Sequence, residues 1–268
     1  MVENMIPKVI HYCWFGRGEK NELAKKCIES WKKYCPDYKF KEWNEDNFDI
    51  NSNQYVKEAY ENKKWAFVTD YVRLYALYNE GGVYMDTDVE IIKSIDAFLV
   101  NHAFSSFESI NKIPTGLMAS EKYNVWIKDL LREYDELHFV KDDGSFDLTP
   151  NGERITNLSK KEYGLIRNNK LQYLKNNSVV IYPLDYFCAK DTKTGVVTIT
   201  DNTYSIHHFS GSWLPDNYKL KRNLRDECVK KYGPKFGIAV MRIKYYWKRP
   251  KQLIESIRKK LRNKYKGK

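Results

Sequence analysis

Apolar and polar positions along the chain change repeatedly between strand-like and helix-like spacing. Short apolar or alternating runs predict strands, and longer runs with apolar residues three and four apart predict helices. In order, the pattern predicts a strand over residues 8–12, a helix over 21–34, a strand over 38–43, helices over 55–63 and 66–79, and a strand over 83–85. Because strands and helices alternate, we expect an α/β fold with a largely parallel sheet.

Beyond residue 90 the pattern is less regular. It predicts extended structure over 91–95, a third long helix over 123–137, and strands over 178–182, 196–200 and 204–209. Sheets of this class bind ligands at the carboxyl ends of their strands. Unusual segments follow predicted strands at residues 13–17, 86–88 and 208–213. We therefore expect a functional site where these three segments meet.

Composition narrows the class of protein. With 268 residues and 15% aromatic residues, the chain can bury a substantial core, which excludes disorder. Its five cysteines are odd in number and form no CxxC pair, which argues against a disulfide framework and a zinc finger. The first ten residues lack a signal-peptide core, and no apolar run is long enough to span a membrane. These features predict a cytoplasmic protein.

The net charge of +11 at first suggests binding to nucleic acid or to an anionic membrane. Its distribution is uneven, since the last 50 residues carry 19 basic and 3 acidic side chains, a net charge of +16. The preceding 218 residues carry a net charge of −5. The basic excess therefore belongs to a tail on a mildly acidic body.

The strongest local signal is a pair of carboxylates two residues apart, Asp86 and Asp88, directly after an apolar strand. Carboxylate oxygens suit Mg²⁺ or Mn²⁺, and such an ion can neutralise a diphosphate leaving group. The alternative is a solvated turn. A second pair, Asp70 and Arg73, shares one face of an apolar helix, as either a structural salt bridge or a ligand-binding pair.

Late in the chain, His207 and His208 point to opposite faces if they lie in a strand, so one of them alone can join the acids. Ser212 can donate to phosphate, and Trp213 can cap a pocket. Near the N-terminus, Trp14 follows the first strand and can stack on a base. Core histidines and core tryptophans are the alternatives for these residues.

Three segments together resemble glycosyltransferase family 32, a group of DXD-containing sugar transferases. They are residues 6–16 (IPKVIHYCWFG), 66–78 (AFVTDYVRLYALY) and 81–88 (GGVYMDTD). The group includes bacterial capsule and cell-surface polysaccharide enzymes and a yeast initiating mannosyltransferase. It is more distantly similar to the glucosyltransferase domains of large clostridial toxins. The resemblance covers residues 6–100, with a short second match at 204–213.

This resemblance implies a Rossmann-like GT-A fold, with a mixed central sheet flanked by helices and a C-terminal helical extension. We expect residues 1–240 to form the transferase domain and residues 241–268 to form a basic amphipathic tail. The resemblance further implies a nucleotide-sugar donor, Mn²⁺ or Mg²⁺, and retention at the anomeric carbon. On the donor side, it implies that Trp14 stacks on the base and that Tyr84 lines the nucleoside pocket.

The remaining roles that the resemblance implies concern sugar, phosphate and metal. Asp70 and Arg73 would hold donor sugar hydroxyls and phosphate. Asp86 would contact ribose or metal, and Asp88 would bind the metal directly. His208 resembles a late metal-ligand histidine, although the toxins carry an acidic residue there. Ser212 and Trp213 would lie over the diphosphate.

The resulting expectation is metal-dependent transfer from a UDP-sugar to a saccharide hydroxyl, by front-face attack, in capsular or cell-surface polysaccharide synthesis. A metal-dependent hydrolase, a nucleic-acid binder and a non-catalytic carbohydrate-binding module are the alternatives. We expect no nucleic-acid partner, because the tail alone would serve one and the paired acids would remain unexplained.

The basic tail has an apolar stripe, Leu253, Ile254, Ile257, Leu261 and Tyr265, surrounded by lysines and arginines. Such a pattern is typical of a helix lying on anionic lipid. We therefore expect peripheral association with the inner face of the cell membrane through residues 243–268, which would suit a lipid-linked acceptor. A terminal helix that packs on the body with a solvated basic face is the alternative.

Overall fold

The computed structural model describes residues 5–211, 214, 216–247, 249, 250, 254 and 258. The chain divides into two compact units. The first comprises Met1–Lys190 and Val197–Trp213, and the second comprises Asp191–Val196 and Leu214–Lys268.

A seven-stranded mixed sheet organises the first unit, in the order β2-β1-β3-β6-β5-β8-β7. Its strands are β1 (Val9–Cys13), β2 (Lys39–Trp43), β3 (Gly82–Met85), β5 (Ala103–Ser106), β6 (Leu117–Ser120), β7 (Gln172–Leu174) and β8 (Val179–Tyr182). Strands β1, β2, β3, β5 and β8 share one direction, while β6 and β7 run against them. The carboxyl ends of those five strands therefore meet at one edge. A separate ribbon pairs β4 (Val89–Ile91) with β9 (Ser205–His207).

Helices cover both faces of the sheet. They are α1 (Glu22–Tyr34), α2 (Gln54–Glu61), α3 (Trp65–Glu80), α4 (Val125–Arg132), α5 (Asn151–Tyr163) and α6 (Leu184–Phe187). Apolar residues of α2 to α5 form one buried cluster with Tyr84 and Met118 of the sheet. Residues of α1 and α6 form a second cluster with Val83 and Met85. Successive β3 side chains thus enter opposite layers, as the pleat requires.

The junction between α3 and β3 depends on two glycines. Gly81 ends α3 with φ of +69°, and Gly82 opens β3 with φ of +105°. A Cβ atom on Gly82 would lie 2.7 Å from the carbonyl oxygen of Val9 in the neighbouring strand. L side chains rarely adopt these φ values, so both positions favour glycine. The missing side chain of Gly82 also allows the close approach of β3 to β1.

Several expectations are confirmed. The strands and helices predicted over the first 90 residues are present within one or two residues of their expected bounds, and the mixed sheet flanked by helices is the expected architecture. The third helix begins close to its predicted start, where the Asn124 side chain caps it by accepting hydrogen bonds from the amides of Trp126 and Ile127. It ends at Arg132, before the predicted end at residue 137.

The predicted strand over residues 196–200 is wrong. Val197 forms only an isolated bridge to Lys190, and the side chains of Val197 and Ile199 are exposed. An alternating pattern forms a stable strand only where one of its faces is buried, and here neither apolar residue reaches a core.

The second unit contains a helical hairpin of α7 (Asp216–Tyr232) and α8 (Pro234–Trp247). The two helices approach closely at Gly237, where a Cβ atom would lie 2.5 Å from the Cα atom of Val229. Helix α8 runs across residue 240, where the transferase domain is expected to end. That domain boundary stays a prediction. Most of the expected apolar stripe of the tail lies outside the described residues.

Replacing Gly82 with alanine should destabilise the protein, because the new methyl group would meet the β1 backbone and the residue would be held at positive φ. We expect a loss of about 2 kcal/mol or more, seen as a fall of roughly 5 °C in Tm in thermal unfolding. Gly18→Ala is the control, since no atom lies within 4 Å of its Cβ position. Equal Tm values for the two variants would contradict this account of the junction.

Candidate active site

The two DXD carboxylates lie in a tight turn at the carboxyl end of β3. The amide of Asp86 donates to the carbonyl of Gly116 at 2.8 Å, and the amide of Val89 donates back to the carbonyl of Asp86 at 2.9 Å. The hydroxyl of Tyr84, the buried β3 residue that precedes the turn by two positions, donates to Asp86 Oδ1 at 2.9 Å. These bonds fix Asp86 on both its backbone and side chain before any ligand is considered.

The β4–β9 ribbon brings a histidine to the two acids. His207 lies opposite Val89, and its Nε2 atom is 3.2 Å from Asp88 Oδ1 and 4.0 Å from Asp86 Oδ2. The amide of Ser210 donates to the other Asp88 oxygen at 2.6 Å. One ligand atom from each of Asp86, Asp88 and His207 lies within 4.8 Å of the other two.

His207 therefore occupies the position that the sequence analysis gave to His208. The His208 side chain points away from the acids and pairs with Glu90 at 2.8 Å, and Lys26 contacts the same carboxylate. The two histidines face opposite sides of the ribbon, as expected of strand neighbours. Only the register of β9 against β4 decides which one meets Asp88.

Gly116 allows His207 to reach this position. A Cβ atom on Gly116 would lie 2.6 Å from the imidazole ring of His207. The same residue accepts the backbone hydrogen bond of Asp86, so one glycine positions an acid and the histidine together. Its importance leaves no trace in the sequence pattern.

The charges of the pair oppose the effect of burial. Burial alone would raise the pKa of Asp88, but the charge and hydrogen bond of His207, with the hydrogen bonds of Ser210, hold it below its usual range. Likewise, burial alone would lower the pKa of His207, whereas Asp88 raises it well above the ordinary value. The protonated histidine thus supplies a positive charge next to a buried carboxylate. A metal cation can supply that charge instead, once the imidazole has lost its proton.

Arg73 connects this cluster to α3. Its guanidinium is almost fully buried and donates to Asp70 at 3.1 Å and to the carbonyl of Thr115 at 2.8 Å. It also lies 3.3 Å from Asp86 and over the ring of Tyr84, with 4.7 Å to the ring centroid. Asp70 and Arg73 therefore form the expected pair, and Arg73 also contacts the DXD motif directly.

At Asp70 the effect of burial outweighs the neighbouring positive charge. Burial raises its pKa to about 7, with Arg73 opposing and Asp86 adding to the rise. The side-chain amide of Asn151, at the start of α5, donates to the backbone carbonyl of Asp70 at 3.1 Å. A buried carboxyl that can carry a proton near neutral pH can both accept and donate hydrogen bonds, as sugar hydroxyls do.

Trp14 and Glu108 lie at the same sheet edge, beyond β1 and β5 respectively. Trp14 is half-buried, its indole nitrogen donates to Gly18, and the Lys20 ammonium is 5.6 Å from its ring centroid. Its ring is therefore not part of the core.

Ser212 and Trp213, expected over the diphosphate, lie outside the described residues.

Glu108 is a candidate that the sequence analysis missed. Within the described residues its carboxylate has no hydrogen bond or ion pair, and burial raises its pKa, although the charges of His207 and Lys112 oppose the rise. No motif surrounds Glu108. Strand order alone, with β6 between β3 and β5, places it near the DXD edge.

The donor set fits a hard divalent cation. Two carboxylates and an imidazole suit Mn²⁺ or Mg²⁺ better than a soft, thiolate-preferring metal. Ligands around one octahedral ion of this size lie about 3–4 Å apart. The spacing of Asp86, Asp88 and His207 therefore requires only small movements to hold one ion.

Comparison with protein families gives a match over part of the chain. Residues 21–105 match a family described as a glycosyltransferase sugar-binding region containing a DXD motif. The matched segment contains Asp70, Arg73, Asp86 and Asp88, and it ends before His207. The expected resemblance to DXD-containing sugar transferases is thereby confirmed.

The individual proteins that this chain resembles share little sequence identity with it. Inositol phosphoceramide mannosyltransferase 3 of Schizosaccharomyces pombe is 26% identical over 142 residues, which cover 50% of this chain and 38% of that protein. The match thus spans well under half of that relative. Among solved structures, PaToxG glycosyltransferase is 19% identical with a TM-score of 0.43, covering 59% of this chain and 70% of that one. A glycosyltransferase involved in glycosylation of the major capsid of PBCV-1 is 14% identical with a TM-score of 0.42, covering 84% and 100%.

The raised pKa of Asp70 predicts a pH-dependent stability. The folded protein keeps this proton where the unfolded chain has released it, so its contribution is present below about pH 4 and lost as the pH rises through about 7. Asp70→Asn cannot ionise. We expect its Tm to improve relative to the wild type by roughly 2–6 °C between pH 5 and pH 8. Asp142→Asn, at an exposed position, controls for the lost net charge, and a Tm difference that is constant with pH would contradict the assignment.

Proposed function

We propose that this protein is a metal-dependent glycosyltransferase, because residues 21–105 match the sugar-binding region of DXD-containing glycosyltransferases. It moves a sugar from a nucleotide-sugar donor to a hydroxyl of a saccharide acceptor. The observation that carries the proposal is the convergence of Asp86, Asp88 and His207, next to Arg73, at the carboxyl edge of the sheet. The two acids and the histidine can hold a metal cation, and the arginine can bind the diphosphate attached to that cation.

In this proposal Asp86, Asp88 and His207 hold Mn²⁺ or Mg²⁺. When bound, the cation neutralises charge on the diphosphate leaving group while the sugar–phosphate bond breaks. Arg73 supplies a second positive charge, fixed by its contacts to Asp70 and to the Thr115 carbonyl. A hydrogen-bonding or charged side chain that is already in position stabilises the charge that develops in the reaction, because the protein does not have to rearrange.

The donor lies along the sheet edge from β1 towards β5. Trp14 stacks on the base beyond β1, and we take the donor to be a UDP-sugar. The Asp70 carboxyl, with its proton-sharing range near neutral pH, binds a hydroxyl of the transferred sugar. Tyr84, which was expected to line the nucleoside pocket, is almost fully buried, and in this proposal it supports the site through its contacts to Asp86 and Arg73.

Transfer proceeds with retention by front-face attack. The acceptor oxygen forms its bond to the anomeric carbon on the side from which UDP departs, and its proton passes to the leaving phosphate oxygen. Glu108 has no protein partner within the described residues and suits an acceptor hydroxyl. The acceptor sugar would then approach across β5 and β6.

The biological role proposed here is capsular or cell-surface polysaccharide synthesis with a lipid-linked acceptor. No helix in the described part of the chain is long and apolar enough to cross a membrane. The proposed location is peripheral association with the inner face of the cell membrane, with the basic C-terminal region as the attachment. A hydrolase using the same three ligands is the second candidate, and its product formation would not depend on an acceptor sugar.

Replacing each of the two neighbouring histidines in a separate variant tests the metal site. We expect His207→Gln to weaken Mn²⁺ binding, measured by calorimetric titration, about tenfold or more, because a ligand is lost. His208→Gln is the matched control, since His208 pairs with Glu90 and not with the DXD acids. If the His208 variant loses Mn²⁺ and the His207 variant retains it, the ligand assignment from this geometry is wrong.

A thermal-shift panel of nucleotide sugars, each with and without Mn²⁺, tests the donor class. We expect UDP and UDP-sugars with Mn²⁺ to raise Tm by about 5 °C or more at saturating ligand, since ligand that binds only the folded state stabilises it. Asp88→Asn should remove both this shift and glycosyl transfer. Stabilisation by other nucleotides alone would exclude a UDP donor, and full activity in metal-free buffer would exclude the metal.

A further inference from the structure

Helix α8 exposes a row of large apolar side chains along one face. Phe236, Ile243 and Trp247 are 76%, 65% and 83% exposed, and Ala239 lies exposed between them. Residues spaced three, four and seven apart lie on the same side of a helix. Single exposed apolar residues are common, but an aligned row ending in a tryptophan indicates a surface that contacts a partner.

This face is not the one that folds the hairpin. The buried side of α8 contains Gly237, Met241 and Tyr245, which pack against Cys228 and Val229 of α7. The hairpin therefore has its own packing surface, and the exposed row is a second apolar face on the same helix. We call Phe236, Ala239, Ile243 and Trp247 the outer face of α8.

Basic side chains border the outer face on both sides. Lys235 and Arg242 lie along one flank and Lys244 along the other, all of them exposed. Within α8 itself there is no acidic residue. The last 50 residues of the chain carry a net charge of +16. A partner for this face must therefore be apolar at its centre and negatively charged around it.

We propose that the outer face of α8 docks on the headgroup region of an anionic lipid bilayer. Phe236 and Trp247 enter the interface at the two ends of the helix, and the flanking basic residues contact anionic headgroups. With 14 residues the helix is about 21 Å long, too short for a hydrocarbon core of about 30 Å, so it lies in the membrane plane.

Charge argues against the other occupants of this face. A second copy docked face to face would bring the same basic flanks together, and like charges across an interface are unfavourable. Residues 251–268 of this chain carry 8 basic and 1 acidic side chains, a net charge of +7, so the basic flanks would repel them as well. The inference rests on the membrane location given under the proposed function and assigns it to one face of α8, but it does not depend on the proposed glycosyl transfer.

Cosedimentation of the full chain with vesicles tests the proposal. The probes are vesicles of phosphatidylcholine alone and of phosphatidylcholine with 30% phosphatidylglycerol, a fraction of about one lipid in three chosen to supply anionic headgroups. We expect binding to the anionic vesicles only. Replacing Phe236, Ile243 and Trp247 with serine should reduce the partition coefficient about tenfold or more.

A matched control replaces three exposed apolar residues of the first unit, Ile110, Ile166 and Tyr173, with serine, and should bind as the wild type does. Changing Lys235, Arg242 and Lys244 to glutamine should weaken binding on the order of 100-fold and reduce its salt dependence, since each basic residue contributes about fivefold.

Wild-type binding by the serine variant of the outer face, or no preference for anionic vesicles, would overturn the proposal. So would a dimer in size-exclusion chromatography that the same variant dissociates, because the face would then join two copies. The UDP and Mn²⁺ thermal shift, measured on every variant, is expected to be unchanged. Its loss in the wild type would count against glycosyl transfer and leave the vesicle result standing.

Discussion

Charge compensation around Asp86 and Asp88 is the interaction on which the rest of the site depends. Two carboxylates held at the end of a buried strand repel one another, and burial disfavours the ionised form of Asp88. His207 and Arg73 supply opposite charge from two different elements, β9 and α3. Asp86, Asp88, His207 and Arg73 therefore form a four-residue electrostatic unit, and the proposed metal cation would add to an arrangement in which positive charge already offsets the two acids.

The scaffold around this unit serves its geometry. Gly82 lets β3 approach β1 closely, and Gly116 leaves room for the His207 ring while it accepts the amide of Asp86. Tyr84 then fills the space beneath Arg73, so the guanidinium is held by an aromatic face as well as by its hydrogen bonds. Replacing Gly82, Gly116 or Tyr84 would therefore displace a charged side chain of the site from its partners.

The uneven charge of the chain separates two kinds of surface. The first 218 residues are mildly acidic, and their positive side chains near the site, Arg73 and His207, are committed to the DXD acids. The basic excess belongs to the last 50 residues, which include α8 with its exposed apolar side chains and their basic flanks. The overall charge of +11 is thus a property of the C-terminal region and says little about the chemistry at the sheet edge.

The sequence by itself determined the elements of the first 90 residues and the pairing of Asp70 with Arg73, because each depends on spacing within one helix or one turn. It also located Asp86 and Asp88 at the end of a strand. Tertiary structure decided the rest. The choice of His207 over His208 depends on the register of β9 against β4, whose residues are more than 110 positions apart. Glu108 and Gly116 join the site through strand order, and the outer face of α8 emerges only once α7 has covered the opposite face. Local spacing fixes what a segment forms, whereas the contacts between distant segments fix which side chains meet.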